Sequence, residues 1–285
     1  MRLALNTYVY EVAGWNIEDT LKSARKMDFR YVEYAAHRSG NPLGWDQQKR
    51  RSVISQFKDA GLACSQLLLT DVEHLASSDE QKRASAMEYM KKVTEFLLEL
   101  GGKQVLVCWG CGVLETGVMP ERSWVLAVEA LREYGTWASR RGVLVSLELD
   151  PHVYFIVNNT FRMAKMLEDV ALPNFFANVD VGHLCITREA PAALQKYGDQ
   201  MIHVHLSETD TYAHTNSILG TGAADFRSYV DKALELGIER NCARVEEPCV
   251  AGIEMGESSI PVDDPERWVR QSLEHLARVL PEVTR

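Results

Sequence analysis

Short apolar runs typical of buried strands alternate along this chain with longer segments that carry helix start and stop signals. The runs predict eight strands, over residues 3–8, 31–35, 63–69, 104–108, 143–149, 175–181, 201–206 and 242–246. The helix signals are caps, prolines and glycines: Asn16 with Asp19, Asp46 with Gly61, Ser78 with Gln81 and then Gly101-Gly102, Pro120 with Arg141-Gly142, Thr160, the stretch 189–197, the stretch 224–236 with Gly237, and Asp264.

Eight strands that are each followed by a helix predict a parallel (β/α)₈ TIM barrel of the α/β class. The 285 residues suit a single barrel domain over 1–285, which usually needs about 250 residues, and no linker or low-complexity tract divides them. The alternative is an open doubly wound sheet, which usually has a glycine-rich first turn. Asn6-Thr7-Tyr8 is not such a turn, so we favour the barrel.

Four of the predicted strands share one arrangement near their carboxyl ends. An apolar residue is followed directly by a potential metal ligand: Glu148, Asp180, His205 and Glu246. Because strand side chains alternate between faces, each ligand points to the barrel interior while its apolar neighbour points to the helices. Three carboxylates and one imidazole at the carboxyl end of a barrel predict a site for Mn²⁺, with Mg²⁺ or Co²⁺ as alternatives.

The fourth ligand is ambiguous because Glu246 and Glu247 are adjacent. Glu246 would place Ala243 and Val245 against the helices, whereas Glu247 would place Arg244 and Glu246 in that apolar layer. We favour Glu246.

Several histidines lie beside the predicted ligands. His183 and His152 follow ligands by three and four residues, on loops that leave the carboxyl end, and are predicted to face a substrate as catalytic residues. His203 lies on the inner face below His205, where we expect it to support that ligand rather than bind the ion. His37, on the loop after the second strand, is a weaker candidate.

Three further motifs leave alternatives open. The Gly220-Thr221-Gly222 turn before a helix suits either phosphate binding or a tight loop that closes over the site. Cys108-Trp109-Gly110-Cys111 has redox spacing, but it follows a strand, and we expect all six cysteines to be reduced. Four aromatic residues near strand ends either stack on sugar rings or anchor loops: Tyr8, Trp15, Trp45 and Trp109.

Composition narrows the class of function. Hydrophobic residues make up 46% of the chain and charged residues 25%, as in a soluble globular protein, and no apolar run is long enough to span a membrane. The net charge of −9 argues against a nucleic-acid partner. We expect a cytoplasmic protein whose partner is a small molecule. Because barrels of this type often dimerise, we also expect a homo-oligomer.

Five segments together resemble the sugar phosphate isomerase/epimerase superfamily of xylose-isomerase-like barrels. They are 145–152 (Val-Ser-Leu-Glu-Leu-Asp-Pro-His), 178–183 (Asn-Val-Asp-Val-Gly-His), 202–208 (Ile-His-Val-His-Leu-Ser-Glu), 220–226 (Gly-Thr-Gly-Ala-Ala-Asp-Phe) and 244–246 (Arg-Val-Glu). The superfamily includes ketose 3-epimerases, inosose dehydratases and isomerases, and, more distantly, endonuclease IV. The resemblance implies that the metal ligands are Glu148, Asp180, His205 and Glu246, and that His183 lies on the substrate side of the site. His152 matches a histidine that inosose-type members carry at the same position of this loop.

Departures from the superfamily pattern concern the substrate. Ketose 3-epimerases carry a second Glu where this chain has Tyr154, and an Arg where it has Thr211. Endonuclease IV requires an Asp-x-His pair, and Asp225-Phe226-Arg227 lacks the histidine.

The predicted activity is that of a divalent-metal-dependent isomerase or epimerase acting on a keto-sugar or related polyol. A metal-stabilised enediolate would form, with Glu148 and Glu246 as acid and base on opposite faces of the substrate. One alternative is a lyase or dehydratase in which a histidine base removes the same proton and a β-leaving group departs. Another is a sugar-binding barrel without catalysis.

Overall fold

A computed structural model describes residues 1–256 and 261–285. Its strands are β1 Arg2–Asn6, β2 Tyr31–Ala35, β3 Ala63–Leu69, β4 Gln104–Val107, β5 Leu144–Leu147, β6 Phe175–Asp180, β7 Met201–Ser207 and β8 Val250–Glu254. Its helices are α1 Tyr8–Val12, α2 Ile17–Lys26, α3 Gln47–Asp59, α4 Glu80–Glu99, α5 Pro120–Ser139, α6 Thr160–Val170, α7 Val181–Ile186, α8 Phe226–Glu235, α9 Ile238–Arg244 and α10 Pro265–Val279. Short 3₁₀ segments cover Arg38–Gly40, Pro42–Gly44, Trp109–Cys111 and Pro191–Tyr197.

The eight strands form a closed barrel in sequence order, and every neighbouring pair is parallel. The predicted (β/α)₈ fold is therefore confirmed. Closure places the carboxyl ends of all eight strands at one end of the barrel, where barrel enzymes carry their active sites. In the register, Asp180 of β6 lies opposite His205 of β7, and His205 lies opposite Gly252 of β8.

Seven of the eight predicted strands are found close to their predicted bounds, but the eighth is wrong. Residues 242–246, predicted as a strand, belong to the end of α9 and the turn that follows it. Ile238, Asn241 and Cys242 form the buried face of that helix. The eighth strand is instead Val250–Glu254, which pairs with both β1 and β7 and closes the barrel.

The helix ends show why local sequence signals were informative. The side chains of Asn16 and Asp46 accept hydrogen bonds from backbone amides at the starts of α2 and α3, as predicted from their positions. For α4 the capping residue is Asp79, one residue after the predicted Ser78. The side chain of Ser78 instead donates to Glu115.

An apolar layer between the barrel and its helices forms the main core, with Leu5, Val32, Val107 and Phe226 among its buried members. Inside the barrel the packing is more polar. For example, Gln104 donates to Ser146 over 3.0 Å in the interior. Among the described residues, no helix is both long enough and apolar enough to cross a membrane.

Candidate metal centre and active-site cleft

Four side chains converge at the carboxyl end of the barrel. Glu148 follows β5 directly, Asp180 and Glu254 end β6 and β8, and His205 lies on β7. The Nδ1 atom of His205 lies 2.9 Å from Oε1 of Glu148, 2.9 Å from Oε2 of Glu254 and 4.0 Å from Oδ2 of Asp180. All four donor atoms lie within 4.8 Å of one another.

Neighbouring groups hold these side chains in place. Asn178 donates to Oε1 of Glu148 over 2.6 Å, and Ser207 donates to Oδ1 of Asp180 over 2.7 Å. Yet Oδ2 of Asp180, Nδ1 of His205 and Oε2 of Glu254 are buried, and despite their short separations none of them makes a hydrogen bond of acceptable angle with a described residue. Buried polar atoms are rarely left unpaired, because desolvation is costly. Three carboxylates and an imidazole nitrogen that converge in this way fit a divalent cation with oxygen and nitrogen ligands.

Crowding of negative charge in a buried volume shifts the proton affinities of these groups. Burial raises the pKa of Glu148 to about 8, and burial together with the charge of Glu254 raises the pKa of Asp180 to about 7. Burial alone would raise the pKa of Glu254, but the charge of His205 outweighs this effect and lowers the pKa to about 2. Burial alone would lower the pKa of His205, but the nearby carboxylates raise it well above the usual value. A cation at this position would replace protons as the neutralising charge.

Glu246, the predicted fourth ligand, is not at this site. It is an exposed residue in the turn after α9, with φ 58°, and it precedes β8, so it lies at the amino end of that strand. Glu254 is the residue that completes the four. The sequence carried a signal for it, since Val250–Ile253 is an apolar run that a glutamate follows directly, as in the other three strands.

Below the four residues, the structure shows a second buried group that was not identified from the sequence. Glu33 of β2 is fully buried, and its Oε1 atom is paired with Nε2 of His203. Its Oε2 atom lies 3.3 Å from Nε2 of His205. His203 therefore lies buried beside His205, and its supporting role stays a prediction. Its partner comes from a strand with a single acidic residue that gave no separate signal in the sequence.

Above the four residues, a cleft opens toward solvent. Glu148 and Glu254 lie at its base, and the lining includes Tyr8, His37, Thr70, Trp109, Asp150, His183 and His214. His37 therefore borders the cleft, as its loop position suggested. Trp15 and Trp45 pack instead against the core and are not among the described residues that line the cleft.

His183 and His214 form a pair at the wall of the cleft. Nδ1 of His183 lies 2.7 Å from the carbonyl oxygen of Leu149, and the Nε2 atoms of the two histidines are hydrogen-bonded to each other. Burial lowers the pKa of each imidazole to about 4; the charge of His205 adds to this effect for His183, and that of His183 adds to it for His214. Because a carbonyl only accepts, Nδ1 of His183 carries the proton, Nε2 of His183 accepts, and Nε2 of His214 donates. His214 was not singled out in the sequence because it lies nine residues beyond His205 in a long loop.

His152 lies on the loop between β5 and α6 and is half-buried. Its ring stacks on Tyr154 at a centroid distance of 5.4 Å and also contacts Phe155. It is not among the described residues that line the cleft. A catalytic role for His152 stays a prediction.

The Gly220-Thr221-Gly222 turn encloses a carboxylate of the chain itself. Glu208 is buried and accepts hydrogen bonds from the amides of Gly220, at 2.6 Å, and Ala224, at 3.0 Å. A Cβ atom at Gly222 would come within 2.6 Å of Oε1 of Glu208, so glycine is required by close approach. These amides are already engaged by an anion, which favours the tight-loop interpretation over phosphate binding.

The Cys108–Cys111 segment does not have the setting of a redox motif. All six cysteines are free, as expected. The segment forms a 3₁₀ turn rather than the start of an α-helix, and burial raises the pKa of both Cys108 and Cys111. Low-pKa thiols are what redox chemistry requires.

Comparison with known proteins adds an independent finding. A family model described as a xylose isomerase-like TIM barrel matches residues 21–279. L-ribulose 3-epimerase from Methylomonas sp. (strain DH-1) is 26% identical over 217 residues, which cover 73% of this chain and 71% of that protein.

Two solved structures share the fold over nearly their whole length. D-psicose 3-epimerase with D-tagatose, from Clostridium cellulolyticum H10, superimposes with a TM-score of 0.79 at 16% identity, covering 98% of this chain and 99% of that one. The IOLI protein with a bound zinc atom gives a TM-score of 0.79 at 17% identity, with the same coverage. At these identities the likeness establishes the shared fold.

Proposed function

Since the chain belongs to the xylose isomerase-like TIM barrel family, we propose that it is a metal-dependent isomerase or epimerase of a keto-sugar or related polyol. The proposal rests on the convergence of Glu148, Asp180, His205 and Glu254 at the base of the cleft, where atoms of the last three form no hydrogen bond with any described residue. The 3-epimerase activity of the relatives and the zinc atom in the IOLI protein support it. We propose Mn²⁺ as the resident ion, with Mg²⁺, Co²⁺ or Zn²⁺ as alternatives.

The ion would act as a Lewis acid on the substrate carbonyl and so acidify the neighbouring C–H bond. The protein supplies the groups that move the proton. Glu148 and Glu254 come from β5 and β8, on different sides of His205, and both lie at the base of the cleft. One carboxylate removes the proton from one face of the substrate carbon, and the other returns a proton to the opposite face, which inverts that centre.

The cleft walls provide orientation. Trp109 and Tyr8 offer aromatic surface for the apolar face of a sugar, and neutral imidazoles can hydrogen-bond to its hydroxyl groups. The nitrogen protons of His183 and His214 are arranged in one direction by the Leu149 carbonyl, so the pair is pre-organised before a substrate enters.

A lyase is the second candidate, and the same pair of histidines favours it. In the tautomers assigned above both ring nitrogens of His183 are engaged, so His214, whose low pKa keeps its imidazole neutral at physiological pH, is the candidate base. Its uptake of a proton would be the first step of β-elimination from a 3-keto-glycoside or an inosose. In that case a hydroxyl or alkoxyl group leaves from the β-carbon after the proton is removed, instead of a proton returning to the other face.

Incubation of the Mn²⁺-loaded protein with ketoses, inososes and 3-keto-glycosides in deuterium oxide separates these functions. NMR should show deuterium incorporation next to the carbonyl together with a new stereoisomer. Loss of water or of an aglycone would instead establish the lyase. Sugar binding without any exchange, in metal-loaded protein, would contradict both activities and indicate a binding barrel.

A further inference from the structure

Glu33 is a buried acidic residue that takes no part in the proposed proton transfers. It lies on β2, is fully inaccessible to solvent, and contacts two histidines of β7 from inside the barrel. A buried carboxylate is costly unless other groups compensate its charge. A negative charge at this place therefore requires compensating partners, and the two groups that contact it are imidazoles near the proposed metal centre.

The two ring nitrogens of His205 face different groups. Nδ1 faces Glu148, Asp180 and Glu254, whereas Nε2 faces Oε2 of Glu33 at 3.3 Å and has no hydrogen-bond partner among the described residues. A neutral imidazole carries its proton on one nitrogen and its lone pair on the other. A carboxylate beside Nε2 favours the proton there, which leaves the lone pair on Nδ1, directed at the other three ligands.

Two other residues hold Glu33 in this position. His203 is paired with Oε1, and its ring is nearly perpendicular to that of His205, at 86°. Opposite the carboxyl group lies Gly252 of β8, where a Cβ atom would come within 1.9–2.1 Å of the carboxyl atoms of Glu33. The space that Glu33 occupies therefore exists only because residue 252 has no side chain.

We propose that Glu33 is a positioning residue that selects the metal-binding tautomer of His205, with His203 and Gly252 fixing its carboxylate. The inference rests on the proposed metal centre. If this inference holds, Glu33, which is more than a hundred residues from the proposed ligands in the sequence, determines metal affinity without contacting the ion.

The test measures metal binding directly. Glu33→Gln keeps the size of the side chain but removes the charge, and its amide places an NH2 group, a donor, beside one of the two histidines in place of a carboxylate oxygen. We expect the affinity for Co²⁺, measured by competition with a chelator, to fall by about 10- to 100-fold. The visible absorption spectrum of the bound Co²⁺ should also change, because the orientation of His205 alters the ligand field.

Two variants keep the result interpretable. Gly252→Ala leaves the charge intact but displaces Glu33, so it should weaken Co²⁺ binding and change the spectrum in the same direction. Glu247→Gln, the same chemical change beside α9 and away from the centre, should match wild type. Circular dichroism and the melting temperature of the metal-free proteins establish that each variant is folded.

The outcomes separate this inference from the proposed function. Wild-type protein that binds no divalent ion would contradict the metal centre itself. Wild-type protein that binds one ion per chain, with a folded Glu33→Gln variant of equal affinity and identical spectrum, would overturn the role of Glu33 alone. Two ions per chain, one of them lost in Glu33→Gln, would also overturn it, because Glu33, His203 and His205 would then form a metal site of their own.

Discussion

At the scale of single residues, the proposed metal site would combine metal coordination with the balance of buried charge. Glu148, Asp180 and Glu254 share one buried volume with a single imidazole, so a substitution at any of them changes both the ligand number and the net charge. Metal content and turnover should therefore both be measured for each variant, so that an effect on catalysis can be distinguished from loss of the metal.

Loss of one ligand should empty the centre. We expect Asp180→Asn or His205→Ala to abolish stoichiometric metal binding, because the carboxylate charge and the imidazole lone pair are each required. Elemental analysis after gel filtration measures this, with wild type expected to hold about one divalent ion per chain. Unchanged metal content in both variants would place the ion elsewhere.

The fourth ligand is tested by a matched pair of glutamate substitutions. Glu254→Gln should eliminate turnover and weaken metal binding, because Glu254 lies 2.9 Å from Nδ1 of His205 at the base of the cleft. Glu246→Gln, in an exposed turn before β8, should leave both unchanged. Steady-state kinetics and metal content, measured on both variants, decide whether Glu254 or Glu246 is the fourth ligand. Loss of turnover in Glu246→Gln but not in Glu254→Gln would mean that β8 is wrongly assigned.

Substitution of the cleft histidines should lower the rate of the reaction while leaving metal binding intact. If His183 and His214 orient hydroxyl groups, alanine at either position should lower kcat/KM by about 10- to 100-fold, or about 1.4–2.8 kcal/mol, with metal content retained. If one of them is the base of a lyase, its loss should reach about 10³-fold or more. His152→Ala provides the comparison, and wild-type activity there would remove His152 from the catalytic set.

At the scale of elements, the loop between β7 and α8 illustrates how an internal anion shapes an active site. Glu208, at the end of β7, gathers the amides of Gly220 and Ala224 and accepts a further amide bond from Thr209. Its own carbonyl oxygen accepts from Thr215 and Asn216. The loop that carries His214 is therefore tied back to the strand that carries His205.

Perturbing this loop should impair the cleft without removing the metal. In Gly222→Ala the added methyl group would lie about 2.4 Å from the carbonyl oxygen of Thr209 and 2.6 Å from Glu208, so the turn must shift. We expect a raised KM with retained metal content, because His214 moves while the four proposed ligands stay on their strands. Gly44→Ala is a suitable control, since a Cβ there would meet no atom within 4 Å and, as at Gly222, the backbone does not have a positive φ that would strain an alanine. Equal kinetics in the two variants would separate the loop from substrate binding.

At the scale of the whole molecule, the carboxylates of the proposed metal centre couple pH to stability. The pKa values of Glu148 and Asp180 in the folded protein, about 8 and about 7, are raised above their ordinary values of 4.5 and 3.8. The folded state therefore binds protons more tightly than the unfolded state. Metal-free protein loses stability as the pH rises from the ordinary pKa values of these groups to their raised values in the folded protein. A cation that binds the deprotonated carboxylates offsets the loss.

It follows that the gain in melting temperature on adding Mn²⁺ should be larger at pH 8 than at pH 6. Thermal unfolding with Mn²⁺ or with a chelator, at both pH values, measures the difference. Asp180→Asn serves as the control, because it should show little gain at either pH. An equal gain at pH 6 and pH 8 in wild type would contradict the proton displacement.

Much of the molecule was predictable from the sequence because the relevant signals are local. An apolar run bounded by helix signals predicts a buried strand, and the alternation of such runs with helices predicts that the strands are parallel, so the barrel and seven of its strands followed from the pattern of residues. Glu148, Asp180 and His205 were found for the same reason, since each follows an apolar residue at the carboxyl end of its run. Their placement at one end of the barrel required only the parallel topology.

Tertiary structure decided the contacts that depend on closure of the barrel. Residues 242–246 and Val250–Glu254 both combine apolar residues with a terminal glutamate, and only pairing with β1 and β7 selects the second as a strand. The contact of Glu33 with His203, the pairing of His183 with His214, and the use of a glycine turn to hold Glu208 likewise join distant parts of the chain. Alternation along a strand determines which way a side chain points, but not which side chain from another strand it meets, because that is determined by the register and curvature of the closed sheet.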